Sequence, residues 1–336
     1  AKYYLKEIYA PNGYVRGTEI QEFTFEYQGD KTTQAVYEFI FEDMQTSVEL
    51  SKADLTDGKE LPGASLQVLD SNGTVVDEWI STEEPHMIRG LLVGETYTMV
   101  ETKPADGYTT AESIEFKVED TAEVQKHQML DDVTKVEINK TDVTDSKEIP
   151  GAKLTILDKD GKVVESWVSK KDPHMVEKLP VGTYTLREEQ APDGYLVAEE
   201  VSFEVKDSGE VQKVEMKDAR PVGKLVLKKT DAEDGSPLSG AEFELRIKKS
   251  GKVVATLVTD EEGVATSGDI PIASYKDGKM KKEIEYILVE TKAPDGYVRS
   301  EKEESVVFEY KDGKTKEIEI TKELTNERIP TGGYSN

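Results

Sequence analysis

The sequence contains no cysteine, has few histidines and carries far fewer positive than negative charges. Its 336 residues include 3 histidines and 43 lysines plus arginines against 69 aspartates plus glutamates, which gives a formal net charge of −26. The lack of cysteine excludes disulfides, thiol catalysis and cysteine-ligated zinc. The histidines are too scattered for a metal cluster, and no cofactor is indicated. The negative charge argues against nucleic acid and anionic membranes as partners.

Long apolar runs and helical periodicity are also missing. No apolar stretch approaches the roughly 18 residues that a membrane span requires. Apolar and polar residues instead alternate in short runs, separated by turn sequences such as DKDG at 158–161. Such alternation is typical of half-buried β-strands. Roughly seven short strands in a stretch of about 90 residues predict an all-β fold of Greek-key, immunoglobulin-like β-sandwiches.

An internal repeat organises the chain. TYTMVETKPADGY at 96–108 recurs as TYTLREEQAPDGY at 183–195 and as EYILVETKAPDGY at 285–297, and KYYLKEIYAPNGY occupies 2–14. A period of about 88 residues indicates tandem domains rather than a solenoid. We expect domains stacked end to end, with these bounds: 1–45 as the C-terminal part of a truncated domain, 46–133, 134–221 and 222–328 as complete domains, and 329–336 as a linker toward a wall anchor.

In each complete repeat, a lysine and two carboxyl or amide side chains stand an even number of residues from apolar residues of the same strand. Side chains of one parity lie on one face of a strand, so Lys140, Glu188 and Asp218 are predicted to project into the core of the middle domain. The corresponding residues are Lys52, Glu101 and Asp131 in the first complete domain, Lys229, Glu290 and Asn326 in the third, and Glu7 and Asp43 in the truncated one.

Burial gives these groups a specific chemistry. Buried ions cost several kcal/mol each unless they pair or become neutral, and apolar surroundings lower the pKa of lysine and raise that of a carboxyl group. A neutral amine is a nucleophile, and a protonated aspartate or an asparagine is an acyl acceptor. A neighbouring glutamate can move the proton and polarise the carbonyl. The pattern therefore predicts a lysine-to-aspartate or lysine-to-asparagine amide inside each domain.

Three motifs in combination resemble a known family. Lys-x-Asp on the first strand, Tyr-Thr-x-x-Glu-x-x-x-Pro-Asp-Gly-Tyr on a middle strand, and Asp or Asn at the end of the last strand are similar to the Cna B-type (SpaA-like) domains of Gram-positive surface adhesins and pilins. The resemblance implies a prealbumin-like β-sandwich with a spontaneous intramolecular isopeptide bond. It implies that Glu101, Glu188 and Glu290 are the catalytic carboxyls and that the crosslinks are Lys52–Asp131, Lys140–Asp218 and Lys229–Asn326.

Alternatives remain open at these sites. Each could be a buried lysine–aspartate salt bridge with a glutamate neighbour, or an unreacted site. In the third domain the register of Asn326 depends on a longer insert, and Lys228 adjoins Lys229, although parity favours Lys229. In the truncated domain, Glu7 and Asp43 would take a lysine from about 88 residues before Lys52, or from a strand of another chain.

These features predict a non-enzymatic stalk of an extracellular adhesin on a Gram-positive cell wall. Its ligand would be bound by a tip domain outside this sequence, and sortase and the cell wall are the expected further partners, since IPTG at 329–332 loosely resembles a sorting signal. The alternatives are a pilin subunit polymerised by sortase and a module that itself binds matrix protein or glycan. The only chemistry in the pattern acts once, on the chain itself.

Overall fold

A computed structural model describes residues 1–330, in which the backbone forms strands and turns and no helix. Within that range there is accordingly no helix long and apolar enough to cross a membrane. By the proximity of Cα atoms, the chain divides into two compact units: residues 1–136 with 176–182 and 205–212, and the remaining described residues. Residues 331–336 of the predicted linker lie outside the described part of the chain.

The first complete repeat forms two sheets around one core. Its strands are β5 (Ser47–Asp54), β6 (Ser65–Leu69), β7 (Val75–Ile80), β8 (His86–Arg89), β9 (Thr96–Lys103), β10 (Ile114–Lys117) and β11 (Gln125–Asp131). One sheet has the order β11-β5-β8 and the other β10-β9-β6-β7. Buried residues alternate with less buried ones along β5 and β6. Their apolar side chains, including Leu50 and Leu66, meet in one cluster between the two sheets.

The second repeat has the same strand pattern. Its strands are β12 (Lys135–Asp142), β13 (Lys153–Leu157), β14 (Val163–Val168), β15 (His174–Glu177), β16 (Gly182–Gln190), β17 (Val201–Val205) and β18 (Val211–Asp218). The sheets have the orders β15-β12-β18 and β14-β13-β16-β17. The seven runs expected from residue alternation coincide with these strands, so the predicted all-β sandwich is confirmed.

The third repeat keeps the two-sheet plan and adds a hairpin. Its strands are β19 (Val222–Asp231), β20 (Glu242–Ile247), β21 (Val253–Val258), β22 (Val264–Thr266), β23 (Ile270–Pro271), β24 (Ala273–Lys276), β25 (Lys279–Glu283), β26 (Glu285–Lys292), β27 (Glu304–Val307) and β28 (Glu317–Asn326). Strands β24 and β25 pair only with each other. Their turn is Asp277-Gly278, with positive φ angles of 52° and 66°, as a two-residue hairpin turn requires. This hairpin contributes to the greater length of the third repeat.

The first and last strands of a repeat are parallel neighbours. Strand β11 pairs with β5 so that Asp131 lies opposite Asp54, two residues beyond Lys52. Strand β28 pairs with β19 in the same way and places Asn326 opposite Asp231. The lysine and the acceptor of each predicted crosslink in these repeats therefore lie on adjacent strands.

The opening segment has strands β1 (Lys2–Lys6), β2 (Tyr14–Val15), β3 (Ile20–Thr24) and β4 (Met44–Gln45). Strands β1 and β3 pair antiparallel, as do β2 and β4. The sequence pattern predicts a last strand that ends at Asp43, and this expectation is wrong, because residues 39–43, all within the described part, lie outside any strand. In the complete repeats that strand pairs with the lysine-bearing first strand, which residues 1–45 do not supply.

Candidate functional site

Each complete repeat buries one lysine among apolar side chains. Lys52, Lys140 and Lys229 are each 1% exposed. Strand parity accounts for this burial, because each lysine continues the inward-facing series of its first strand. The structure places Lys229 in the core and leaves the neighbouring Lys228 exposed, 3.8 Å from Glu323. Parity thus identified the inward-facing lysine correctly.

In the first two repeats the lysine lies between two buried carboxyl groups. Lys52 Nζ is hydrogen-bonded to Asp131 Oδ1 and lies 3.0 Å from Glu101 Oε1. Lys140 Nζ is hydrogen-bonded to Asp218 Oδ1, and its distance from the glutamate of that repeat is 3.2 Å. The second oxygen of each aspartate, Oδ2, is buried and has no hydrogen-bond partner within residues 1–330. Amine, acceptor carboxyl and glutamate therefore meet at both predicted sites.

The third repeat arranges the same three roles differently. Lys229 Nζ lies 3.3 Å from Glu290 Oε1 and donates to the main-chain carbonyl of Thr325 at 2.9 Å. The amide nitrogen of Asn326 donates to Glu290 Oε2 at 3.0 Å and to the carbonyl of Val298 at 2.6 Å. Among the described residues, Lys229 and Asn326 thus meet at one glutamate without a hydrogen bond to each other. The side-chain oxygen of Asn326 is buried and, in the same range, unpartnered.

A backbone amide orients the glutamate in every repeat. The donor lies ten residues after the glutamate, and its partner is always Oε2. The hydrogen bonds are Ala111 N to Glu101 at 2.7 Å, Ala198 N to Glu188 at 2.7 Å, Ser300 N to Glu290 at 2.6 Å and Gly17 N to Glu7 at 2.6 Å. In the three complete repeats this bond leaves Oε1 facing the lysine. Sequence reasoning missed these donors because a backbone amide has no residue identity, and only their constant spacing could have revealed them.

Burial changes the acid–base properties of the sites. Loss of solvent, reinforced by the glutamate charge and opposed by the lysine, raises the pKa of Asp131 and of Asp218 to about 7. Burial likewise lowers the pKa of Lys229, although the neighbouring Glu290 opposes this shift. Both changes favour the uncharged forms of amine and acid. These are the forms in which an amine can attack a carboxyl carbon.

The opening segment brings Glu7 and Asp43 together. A Cβ added at Gly17 would lie 3.2 Å from Glu7 Oε2 and 3.8 Å from Asp43 Oδ1, so both carboxyls face the same glycine. Asp43 Oδ1 is buried and has no partner in the described range. The lysines of this segment, Lys2, Lys6 and Lys31, are all exposed. The segment therefore holds the two carboxyls of the pattern without a buried amine of its own.

Comparison with known proteins identifies a family whose model matches this sequence. A family model described as SpaA, prealbumin-like fold domain, matches residues 46–132, 134–220 and 223–324. No curated protein matches the sequence.

The chain also matches solved structures, among them three bacterial proteins. The Bacillus anthracis TIE protein is 28% identical, with a TM-score of 0.55 over 85% of this chain and 52% of that chain, so this chain spans about half its length. BcpA, the major pilin subunit of Bacillus cereus, is 19% identical, with a TM-score of 0.47 over 84% of this chain and 99% of that chain. The full-length major pilin SpaD from Corynebacterium diphtheriae is 17% identical, with a TM-score of 0.39 over 84% and 98%.

The motif-based resemblance is confirmed, because the family model covers most of the chain in three tandem copies. The chain belongs to the family of SpaA prealbumin-like fold domains.

Proposed function

We propose that this chain is a non-enzymatic structural segment of a cell-surface adhesin stalk, made resistant to force by intramolecular isopeptide bonds. The bonds are Lys52–Asp131, Lys140–Asp218 and Lys229–Asn326. The observation that carries the proposal is the burial of an amine, a glutamate and an acyl acceptor together in all three complete repeats. A salt bridge alone explains this poorly, since buried ion pairs contribute little net stability.

The reaction is a single condensation in each repeat. The neutral lysine Nζ attacks the side-chain carbonyl carbon of the acceptor, and a C–N bond forms. The glutamate takes a proton from the attacking nitrogen and delivers it to the leaving group. Water leaves when the acceptor is Asp131 or Asp218, and ammonia leaves when it is Asn326. Because the product amide is uncharged, the reaction also removes the cost of burying ions.

The strand arrangement explains why such a bond would carry force. Lys52 and Asp131 lie on parallel neighbouring strands, β5 and β11. Tension that enters at the start of β5 would cross the amide near the ends of both strands and leave toward the next repeat. The residues between the two crosslinked positions would then bear no load. Each crosslink thus removes most of its repeat from the path of the force.

The bond would also stabilise the repeat thermodynamically. Lys140 and Asp218 are 78 residues apart in the chain. By analogy with a disulfide, closing a loop of that size reduces the entropy of the unfolded chain and stabilises the fold by about 4–5 kcal/mol. A chain without cysteine would gain in this way the covalent reinforcement that disulfides give to many extracellular domains.

The proposed setting is the extracellular surface of a Gram-positive bacterium, with linkage to the cell wall by sortase. The family resemblance supports this setting. Ligand binding is assigned to a tip domain outside this sequence, because the sequences of the three similar repeats have no evident basic or aromatic ligand patch.

The second candidate function is a pilin subunit polymerised by sortase. It is favoured by the family resemblance, which includes pilins as well as adhesins. The sequence contains no Tyr-Pro-Lys motif of the kind that would supply a lysine for polymerisation. A ladder of covalent multimers on denaturing gels of native surface extract would favour the pilin, and a single band would favour the stalk.

Single-molecule pulling on the ends of the chain tests the proposal. We expect the unaltered chain to extend without unfolding steps from the three complete repeats. The matched control carries Glu101→Ala, Glu188→Ala and Glu290→Ala, and it should show three unfolding steps, each close to the length of a whole repeat. Three such steps in the unaltered chain would overturn the proposed function.

A further inference from the structure

A second set of polar contacts, buried in the first two repeats and part-buried in the third, adjoins each candidate crosslink. The aspartate of every Lys-x-Asp motif accepts a hydrogen bond at Oδ2 from the tyrosine that ends the Pro-Asp-Gly-Tyr motif or its variant. The pairs are Tyr108–Asp54 at 2.6 Å, Tyr195–Asp142 at 2.8 Å and Tyr297–Asp231 at 2.6 Å. These pairs join the two most distinctive motifs of the repeat. No step of the proposed condensation uses them.

The tyrosine begins the segment that orients the glutamate. In the middle repeat, the amide that holds Glu188 belongs to Ala198, three residues after Tyr195. The other repeats have the same spacing, from Tyr108 to Ala111 and from Tyr297 to Ser300. Anchoring the tyrosine hydroxyl therefore fixes the start of the segment that aims the glutamate at the lysine.

The same segment holds the acceptor strand. In the middle repeat, Leu196 N donates to the carbonyl of Ala219, directly after the acceptor Asp218, at 2.9 Å. The carbonyl of Asp218 in turn accepts from Val143 N at 3.0 Å. The equivalent bonds are Thr109 N to Asp132 O and Leu55 N to Asp131 O in the first repeat, and Val298 N to Glu327 O and Ala232 N to Asn326 O in the third. The tyrosine–aspartate bond thus closes a ring through the lysine strand, the glutamate-orienting segment and the acceptor strand.

A positively charged side chain contacts each tyrosine–aspartate pair, but its position in the sequence differs between the repeats. In the second and third repeats it is the arginine two residues after the acceptor. Arg220 Nε donates to Asp142 Oδ2 at 2.8 Å, and Arg328 Nε donates to Asp231 Oδ2 at 2.7 Å. The first repeat has Val133 at that position.

Lys178, from the second repeat, supplies the missing cation. Its Nζ donates to the hydroxyl of Tyr108 at 2.7 Å and lies 3.5 Å from Asp54 Oδ2. All three residues belong to the same compact unit. Burial opposes ionisation of Asp54, but hydrogen bonds from Tyr108 and Thr56 and the charge of Lys178 hold the pKa of Asp54 at about 2.

The backbone conformation at Lys178 places its side chain next to Tyr108. Lys178 has a φ of 63°, a left-handed conformation that is uncommon for residues other than glycine and costs free energy. Its carbonyl oxygen lies 2.5 Å from the position that a Cβ on Gly107 would occupy. Only glycine at 107 permits this approach, which brings the Lys178 side chain to the tyrosine next to that glycine.

We propose that these tyrosine–aspartate pairs are positioning pairs for isopeptide formation, and that the first repeat depends on Lys178 of the second repeat to complete its pair. The inference rests on the proposed function, since it assigns residues that hold the reacting groups in place. Crosslinking of residues 46–133 is then coupled to folding of the next repeat, whereas the second and third repeats use their own arginines.

The first test is Tyr195→Phe in the full chain. The chain is made by cell-free synthesis, quenched in denaturant at timed intervals and digested, and the three crosslinked peptides are quantified by mass spectrometry. We expect the Lys140–Asp218 crosslink to form about tenfold more slowly or worse, because small misplacements of reacting groups have large effects on rate. The other two crosslinks serve as internal controls. An unchanged rate in the middle repeat would overturn the proposal.

The second test separates positioning from general stability. Lys178→Met alters a side chain that is 52% exposed, and we expect it to slow only the Lys52–Asp131 crosslink. Adding Val133→Arg gives the first repeat the arginine that the others have, and the rate should recover. A slowdown in the second repeat instead of the first, or no slowdown, would contradict the dependence on Lys178. If the unaltered chain forms no crosslink at all, the proposed function itself is wrong.

Discussion

The first two repeats bury an aspartate at the proposed acceptor position, and the third buries an asparagine there. Where the acceptor is aspartate, the lysine is drawn into direct contact with it, as in Lys52 with Asp131. Where it is asparagine, the neutral amide turns its nitrogen to Glu290, and Lys229 donates to a main-chain carbonyl. The glutamate keeps the same backbone donor in both cases. The glutamate is therefore the constant part of the site, and the contact made by the lysine differs between the aspartate and asparagine sites.

We expect the largest effect from removing the glutamate of a site. Glu188→Ala should abolish the Lys140–Asp218 bond and leave the other two intact, because only the middle repeat loses its proton carrier. The mass of this variant should then fall below the mass calculated from its own sequence by one water and one ammonia instead of two waters and one ammonia, and the middle repeat would lose roughly 4–5 kcal/mol of stability. Mass spectrometry and thermal unfolding measure the two effects.

The matched control for this change is the neighbouring residue. Glu189→Ala removes an exposed carboxyl from the same strand and should change neither the mass deficit nor the unfolding temperature. Loss of the Lys140–Asp218 bond in this control, or its persistence in Glu188→Ala, would contradict the conclusion that Glu188 is the residue required for the bond.

The difference in acceptor charge should appear as a difference in pH dependence. An aspartate must be protonated to lose water, and the pKa of Asp131 and of Asp218 is raised to about 7 by burial. Asn326 does not titrate, and higher pH supplies more of the neutral amine at Lys229. Between about pH 6 and about pH 9, crosslinking in the first two repeats should therefore slow relative to the third. Timed peptide mapping at several pH values measures the ratio, and a constant ratio would contradict this account.

Replacing the lysine should reveal the difference between an aspartate and an asparagine acceptor as a difference in how stability depends on pH. In Lys140→Met, the buried Asp218 keeps its proton to about pH 7 or higher, while an unfolded aspartate releases it near pH 4. The folded repeat then binds more protons than the unfolded one, so its stability falls as the pH rises, by about 1.4 kcal/mol per pH unit between those values. Denaturant unfolding of Lys229→Met should show a shallower slope, because a buried glutamate remains in both variants and the acceptor Asn326 does not titrate. Equal slopes in the two variants would contradict the assignment.

The smallest change converts one kind of site into the other. Asn326→Asp should still allow a bond to Lys229, with water leaving in place of ammonia, because Glu290 is unchanged. The crosslinked peptide should have the same mass as in the unaltered chain, and its formation should acquire the pH dependence of the first two repeats. Failure to crosslink at any pH would show that the third site is built specifically for an amide.

Much of this site could be predicted from the sequence, because strand parity reports directly on burial. The alternation before Lys140, Glu188 and Asp218 predicted three polar groups on the core face, and the structure buries all three. The same alternation predicts that Lys229 and not Lys228 faces the core, and the structure buries Lys229. Parity says nothing about side-chain rotation, and so the turn of the Asn326 amide toward Glu290 was not predicted.

Two other features lay beyond sequence reasoning for different physical reasons. The amide of Ala198 contributes through its backbone, which any residue type would supply. The pairing of Tyr108 with Asp54 and Lys178 joins residues from motifs that are far apart in the chain, and the lysine replaces an arginine found at another position in the other repeats. Strand order and the approach at Gly107 had to be known before these contacts could be seen.

The intact mass of the unaltered full chain, measured after complete denaturation so that only covalent bonds persist, shows whether the three crosslinks have formed. We expect a mass below that calculated from the sequence by two waters and one ammonia, and tryptic peptides in which Lys52, Lys140 and Lys229 are joined to Asp131, Asp218 and Asn326. The full calculated mass, with the three lysines unmodified, would contradict this expectation.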